Sequence, residues 1–136
     1  MRLYLAYGPK QDLNRFLPII ISGCKKNKKF PCSRGNQLRD FVHVNDVVDV
    51  IIKSLASENA RGQIINIGSG KPKKLRNIIE HVCKISNGGY PQFGKIKLRK
   101  DEILRIYPSI KKAENLINWK PRMSFEKGIK DTIKSY

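Results

Sequence analysis

Cysteine and histidine are scarce in this 136-residue chain. The three cysteines, Cys24, Cys32 and Cys83, are an odd number without Cys-x-x-Cys spacing, so we expect neither a disulfide framework nor a zinc site. Free thiols of this kind predict a reducing, cytoplasmic compartment. His43 and His81 have no cysteine or carboxylate at metal-ligand spacing, so no metal site is predicted.

Long apolar runs are also missing. A membrane span requires about 18 consecutive apolar residues, whereas the longest run here covers residues 16–21 and is interrupted by Pro18. The first residues lack the charged-then-apolar layout of a secretory signal. The sequence therefore predicts no membrane association. With 40% apolar residues, the chain has the composition of a globular protein, and residues 1–136 are expected to form a single domain.

Acidic residues are few relative to basic ones. The chain has 28 Lys and Arg against 11 Asp and Glu, a net charge of +17. Such a field favours polyanions or phosphorylated ligands. The basic residues are widely spread, however, as on an ordinary solvated lysine-rich surface. Aromatic residues are not interleaved with them on one element, which argues against a nucleic-acid-binding module.

Predicted strands and helices alternate along the chain, which indicates an α/β fold. The predicted strands cover residues 2–7, 41–44, 64–67 and 96–99, and residues 29–33 are expected to form a short strand or a loop. The predicted helices cover residues 14–24, 46–55, 75–85 and 109–117, with a last helix from about 124. The expected helix N-caps are Asn14, Asp46, Ser109 and Ser124. The helix at 46–55 is predicted to have one apolar face, formed by residues 47, 48, 51, 52 and 55. About four strands and five helices would form a sheet that looks incomplete.

Two short motifs resemble parts of a dinucleotide site. Residues 68–74 (GSGKPKK) follow a strand and precede a helix, the context in which backbone amides bind phosphate. Lys73 stands where a third glycine is needed, so a tight turn is the favoured interpretation. Tyr107 and Lys111 match Tyr-x-x-x-Lys, but Pro108 disfavours helical geometry at Tyr107 and separates the phenol from the helix that carries the lysine.

Arg99 and Glu102 form an Arg-x-x-Glu element that could act on one ligand. A guanidinium binds phosphate in bidentate fashion, and a carboxylate accepts hydrogen bonds from ribose hydroxyls. An exposed ion pair is the alternative. Arg39 and Asp40 lie at the entrance of an apolar strand and allow two interpretations, a strand edge or a ligand contact.

The motifs RLYLAYGPKQ, NRFLPIII, GNQLRDFVHVNDVVDVI, GQIINIGSGK, RKDE and INWKPRMSFEKGI occur in this order. Together they resemble the C-terminal part of the extended short-chain dehydrogenases, the NAD(P)-dependent nucleotide-sugar epimerases, dehydratases and 4-ketoreductases. The resemblance covers almost the whole chain. It implies a C-terminal substrate-binding lobe plus the last strands of a Rossmann-type sheet, with the N-terminal dinucleotide-binding half absent.

The resemblance also implies roles for individual residues. It assigns Arg39 to the diphosphate of a nucleotide-diphosphate sugar, and Arg99 and Glu102 to its phosphate and ribose. The pocket-lining stretch is implied at Asn14, Arg15 and Phe16, with Ser33 in the strand beside the base. Asp46 matches the acid that caps the following helix. No catalytic residue is implied, because the family's glycine-rich loop and its catalytic Tyr-x-x-x-Lys pair belong to the half that precedes the matched part.

The family implies NAD or NADP as cofactor, and a homodimer or the missing N-terminal half as partner. The sequence around Arg39 most resembles that of 4-ketoreductases and epimerases that make deoxysugars for surface polysaccharides. Leu5 departs from the pattern, since many members have Asn there. Two alternatives stay open at this point: a stand-alone basic module for nucleic acid, and a non-catalytic protein that binds a sugar nucleotide or a partner subunit.

Overall fold

The computed structural model describes all 136 residues as an α/β fold, which confirms the predicted class. The helices are α1 (Phe16–Lys25), α2 (Val44–Leu55), α3 (Leu75–Ser86), α4 (Lys111–Ile117) and α5 (Phe125–Lys134), with one 3-10 turn at Glu58–Ala60. The strands are β1 (Arg2–Leu3), β2 (Leu5–Tyr7), β3 (Lys29–Cys32), β4 (Leu38–Arg39), β5 (Phe41–His43), β6 (Asn66–Ile67), β7 (Lys73–Lys74), β8 (Tyr90–Phe93) and β9 (Arg105–Ile106). None of these helices combines the length and the apolar content that crossing a bilayer requires.

The strands pair in small groups. Three parallel pairs join β1 to β6, β2 to β5 and β3 to β8, and β4 lies between β7 and β9 in a three-stranded sheet. The strand predicted at residues 2–7 divides at Tyr4, whose amide donates to the carbonyl of Ile67 at 3.0 Å. Its two parts have different partners, since β1 pairs with β6 and β2 pairs with β5.

The strand predicted at residues 96–99 is wrong. Strand β8 lies in this part of the chain and pairs with β3. Its Pro91 is tolerated because the other side of this short strand is a free edge. Only the Ile96 amide continues the pairing, by donating to the Cys32 carbonyl at 3.1 Å. Residues beyond it leave the sheet, and this departure brings them to the candidate site.

Three of the four predicted helix caps are wrong. Helix α1 begins after Arg15, and the amide of Asn14 donates to Asp12 Oδ1 one turn earlier. Helix α4 begins after Ile110, so Ser109 lies outside it. Ser124 is confirmed as the cap of α5, because its hydroxyl accepts from the Lys127 amide at 3.3 Å.

Asp46 is not the cap of α2. That position belongs to His43, whose Nδ1 accepts from the Asn45 amide at 3.3 Å, and burial lowers the pKa of this imidazole. The Asp46 carboxylate instead accepts from the amides of Arg122 and Met123, at 2.8 and 3.1 Å. Asp46 therefore has a structural role, but it ties α2 to the loop that leads into α5.

Two apolar clusters form the core. The larger has 13 buried residues and lies between α1, α3, α5 and the strands β2, β3 and β5. The smaller has seven, is centred on Trp119, and lies between α2, α4 and β6. Helix α3 follows its predicted pattern, with Ile78, Ile79 and Val82 buried. The predicted apolar face of α2 does not point into the core, since Val50 and Asp46 are its buried residues.

Candidate functional site

A cavity with mainly apolar walls lies between α1 and α3 and has a volume of about 340 Å³. We call it the α1–α3 cavity. Its apolar walls include Phe16 and Ile20 from α1, Leu75 and Ile79 from α3, and Phe30 and Cys32 from β3. Burial raises the pKa of the Cys32 thiol, so this wall stays uncharged at neutral pH. Such walls suit a flat, apolar-faced group such as a nucleotide base.

Residues 96–102 cover one side of this cavity. The segment is attached at one end by the bond from Ile96 to β3, and at the other by the Leu38 amide, which donates to the Leu104 carbonyl at 2.7 Å. Between these attachments a turn is closed by the Glu102 amide and the Arg99 carbonyl, at 3.2 Å. The Arg99 and Glu102 side chains both line the cavity, so two residues that the sequence singled out meet at one site.

Arg39 reaches the same site through Glu102. Its Nη2 lies 2.6 Å from Glu102 Oε1, and its Nη1 donates to the carbonyl of Leu38 at 2.9 Å. A guanidinium has five N–H donors, so other donors of Arg39 are free to bind an anion. The pairing was not foreseen: the carboxylate of the Arg-x-x-Glu element binds Arg39, and no ion pair joins it to Arg99.

A tight turn sets the polar edge of the cavity. Gly35 has a φ of +73°, and a Cβ there would lie 2.7 Å from the Arg76 amide nitrogen, so only glycine fits. The Arg76 and Leu75 amides donate to the carbonyls of Gly35 and Gln37, which serve the first turn of α3 in place of a side-chain cap. The turn places Ser33 and Gln37 on the cavity wall.

Gln37 is a site residue that sequence reasoning missed. It is buried and polar, and it lines the cavity. It lies two positions before Arg39, the spacing that places side chains on one face of an extended chain. That spacing was the available signal.

The remaining predicted residues lie at a neighbouring cavity of about 470 Å³, formed along β1, β2 and the start of α1. We call it the strand-edge cavity. Asn14 and Arg15 line only this cavity, and both are exposed. Phe16 lines both cavities and therefore separates them. Six of the seven predicted residues thus line one or both of two adjacent cavities, and Arg39 lines neither but pairs with Glu102 at the α1–α3 cavity.

The Gly68–Gly70 turn has no geometry for phosphate. The Ser69 amide donates to the buried Asp40 carboxylate at 2.5 Å. A Cβ at Gly68 would lie 2.4 Å from Pro108, so the turn is packed against protein. These residues therefore do not fit a dinucleotide, and the tight-turn interpretation is the one the contacts support. Tyr107 precedes α4 rather than sharing it with Lys111.

Comparisons with known proteins agree with this architecture. The chain is 29% identical to CDP-abequose synthase of Salmonella muenchen and 32% identical to UDP-glucuronate 4-epimerase of Thermodesulfobacterium geofontis, in each case over 98% of its length. It covers only 46% and 41% of those proteins. The chain spans less than half the length of these curated relatives.

Solved structures give the same picture. UDP-glucuronic acid 4-epimerase from Bacillus cereus, in complex with UDP-glucuronic acid and NAD, matches 98% of the chain with a TM-score of 0.89 and 26% identity. Pal from Bacillus thuringiensis matches with a TM-score of 0.87 and 26% identity. The chain covers 43% and 44% of these structures and corresponds to their C-terminal part.

The family model described as "NAD dependent epimerase/dehydratase family" matches residues 1–68, which is half of the chain and includes Arg39. This match agrees with the relatives and with the fold. The chain therefore belongs to the NAD-dependent epimerase/dehydratase family.

Proposed function

We propose that this chain is the nucleotide-sugar-binding portion of an NAD(P)-dependent nucleotide-sugar epimerase, dehydratase or 4-ketoreductase. The similarity to CDP-abequose synthase and to dTDP-glucose 4,6-dehydratase 1 of Escherichia coli supports a role in deoxysugar synthesis for surface polysaccharides. Residues 1–136 act as one partial domain in this proposal, and the protein works in the cytoplasm.

One observation carries the proposal: an apolar cavity and a half-buried guanidinium meet at one carboxylate. Glu102 lines the α1–α3 cavity and also pairs with Arg39 at 2.6 Å. A nucleotide diphosphate has the matching parts, a flat base for the apolar walls, ribose hydroxyls for a carboxylate, and phosphates for Arg39 and Arg99.

The two cavities give the substrate a direction. With its base in the α1–α3 cavity, the sugar would extend past Phe16 into the strand-edge cavity, beside Asn14 and Arg15. That cavity lies along β1 and β2. In this proposal the dinucleotide-binding half lies beside the strand-edge cavity. That half is part of the same polypeptide, a separate partner, or present together with a second copy of this chain in a homodimer.

Redox chemistry is assigned to that other half. Bound NAD or NADP would exchange a hydride with the sugar there. The residues of this chain bind and orient the substrate, because its glycine turn is packed against protein and its Tyr107 lies outside the helix of Lys111. Turnover of NADH by the purified 136-residue chain alone would contradict this assignment.

Ligand binding tests the proposal directly. We expect UDP-, dTDP-, CDP- or GDP-sugars to raise the melting temperature of the chain, with at least one of them showing a clear shift. Arg39→Ala should weaken the binding of that ligand roughly 10–100-fold, since a charged hydrogen bond contributes about 1.5–3 kcal/mol. The matched control is Arg61→Ala, which removes an exposed arginine paired only with Glu58.

Binding of single-stranded DNA, measured at two salt concentrations, tests the alternative function. Tight DNA binding with a steep salt dependence, and no shift with any nucleotide, would reject the proposal in favour of a basic nucleic-acid-binding module. Equal loss of nucleotide binding in Arg39→Ala and Arg61→Ala would also count against the proposal, because Arg39 lies at the site and Arg61 does not.

A further inference from the structure

Gln37 is the one strongly buried amide on the wall of the α1–α3 cavity. It is 5% exposed, and its neighbours on the wall include the apolar side chains of Leu75 and Ile79. An amide buried without partners loses its hydrogen bonds to water, and this loss is costly. The partners of its oxygen and nitrogen therefore determine what the side chain does.

A chain of two hydrogen bonds fixes the orientation of this amide. The Gly35 amide donates to Ser33 Oγ at 3.3 Å, so the hydroxyl acts as acceptor toward the backbone. Its own proton is then free for Gln37 Oε1, which lies 3.4 Å away. In this arrangement the Gly35 amide donates to Ser33 and the Ser33 hydroxyl donates to Gln37 Oε1, which leaves the Gln37 nitrogen on the other side of the amide.

The other end of the amide has no partner in the protein. Oε1 is the Gln37 side-chain atom that accepts a hydrogen bond, and Nε2 makes none. Nε2 is not among the fully enclosed side-chain atoms without a partner, so it keeps some exposure, and Gln37 lines the cavity. The wall of the cavity thus presents an oriented N–H donor among apolar side chains, and the complementary ligand group is an acceptor on a flat ring.

We infer that Gln37, held by Ser33, selects the base of the nucleotide by donating from Nε2 to a ring carbonyl of a pyrimidine. The inference rests on the proposed function. Pyrimidine bases carry carbonyl oxygens at the ring edge, whereas adenine has no ring carbonyl and presents an N6 amine beside its ring-nitrogen acceptors. A site whose polar group is left unpaired rejects the wrong ligand strongly. Gln37 is in this sense a specificity-determining residue.

The test compares UDP with ADP by isothermal titration calorimetry on the 136-residue chain. We expect the chain to bind UDP at least tenfold more tightly than ADP. Gln37→Glu replaces the donor with a carboxylate and should weaken UDP about tenfold, without weakening ADP. The control is Gln92→Glu, which places the same charge at an exposed position on β8 and should leave both affinities unchanged.

Ser33→Ala keeps the inference testable if Gln37→Glu does not fold. Removing the hydroxyl frees the amide to rotate, so the UDP-to-ADP affinity ratio should fall toward one while the melting temperature stays close to that of the wild type. Selection by shape alone would leave that ratio unchanged in both variants, and this result would overturn the inference.

Failure of the inference is distinguishable from failure of the proposed function. UDP binding that depends on Arg39 but not on Gln37 or Ser33 rejects only the base-selecting role. If UDP does not bind at all, the nucleotide-binding function fails with it.

Discussion

Helices α2 and α3 have the same length, 12 residues, and both have an amphipathic sequence, yet the structure uses them differently. In α3 the apolar stripe is covered, and Ile78, Ile79 and Val82 are almost fully buried. In α2 the apolar stripe faces outward, with Val48 51% exposed, Ile52 62% and Leu55 84%. Periodicity therefore predicts a helix, but it does not say what covers its apolar side.

The neighbours of the two helices explain the difference. Helix α3 packs against α1, α5 and β8, which together enclose it. Helix α2 contacts β2 and β5, and its Val50 belongs to the smaller cluster. Leu3 and Leu5 on β1 and β2 are also exposed, but they line the strand-edge cavity beside the start of α1. An exposed apolar stripe such as that of α2 is typical of an interaction surface.

The largest effect is expected from equal truncations in the two helices. Ile78→Ala should lower the free energy of unfolding by about 2–5 kcal/mol, because it leaves a cavity in a packed core. Ile52→Ala, on the exposed stripe of α2, should change it by less than about 0.5 kcal/mol. Urea denaturation of the isolated chain measures both. Similar losses in the two variants would show that α2 is covered in solution.

Two neighbouring thiols allow helices α1 and α3 to be cross-linked by a disulfide. Cys24 on α1 and Cys83 on α3 have their sulfurs 3.3 Å apart, a contact that the odd cysteine count did not suggest. Burial, together with the hydrogen bond to Cys83, raises the pKa of Cys24 to about 12, so oxidation should begin at the half-buried Cys83.

Diamide, which takes up two electrons and two protons, should form a disulfide between this pair. The bond would close a loop of about 60 residues and raise the free energy of unfolding by about 2–4 kcal/mol. Thiol counting and thermal melting check the result. The Cys83→Ser variant should show no gain, and an equal gain in that variant would point to another effect of diamide.

The smallest effect concerns association through α2. We expect the chain to self-associate at high concentration, since the α2 stripe and the β1–β2 edge leave apolar surface and strand edges uncovered. Replacing Val48 and Ile52 with lysine should weaken association about tenfold, an effect of about 1.4 kcal/mol. Sedimentation velocity over a concentration series measures it. A wild-type chain that is monomeric throughout would show that the face needs no partner.

The α/β class, the position of α3 and the cap at Ser124 followed from the sequence because they depend on neighbours a few residues away. The caps predicted at Asn14 and Ser109 were wrong by one residue, since the caps of α1 and α4 are Arg15 and Ile110, and the cap predicted at Asp46 was wrong because of a tertiary contact. A short polar side chain near a helix start has several possible partners, and tertiary contacts choose among them. Asp46 shows this, because its carboxylate binds amides 76 and 77 positions away.

The sequence predicted some of the residues that meet at the candidate site. The order of motifs singled out Arg39, Arg99 and Glu102, and the structure places Arg99 and Glu102 at one cavity with Arg39 bound to Glu102. Their roles toward a ligand stay predictions. The cavity itself could not be foreseen, because its walls come from α1, β3, α3 and residues 96–102, which meet only when the chain folds.

By itself, the sequence determined the alternation of strands and helices and the family, and it predicted residues for a phosphorylated ligand. These properties depend on residue types and on their order along the chain. Only the tertiary structure decided which apolar stripe is buried, that Glu102 pairs with Arg39, and that Gln37 lines a cavity. Burial and hydrogen bonding between distant residues depend on which surfaces meet, and chain order does not specify that.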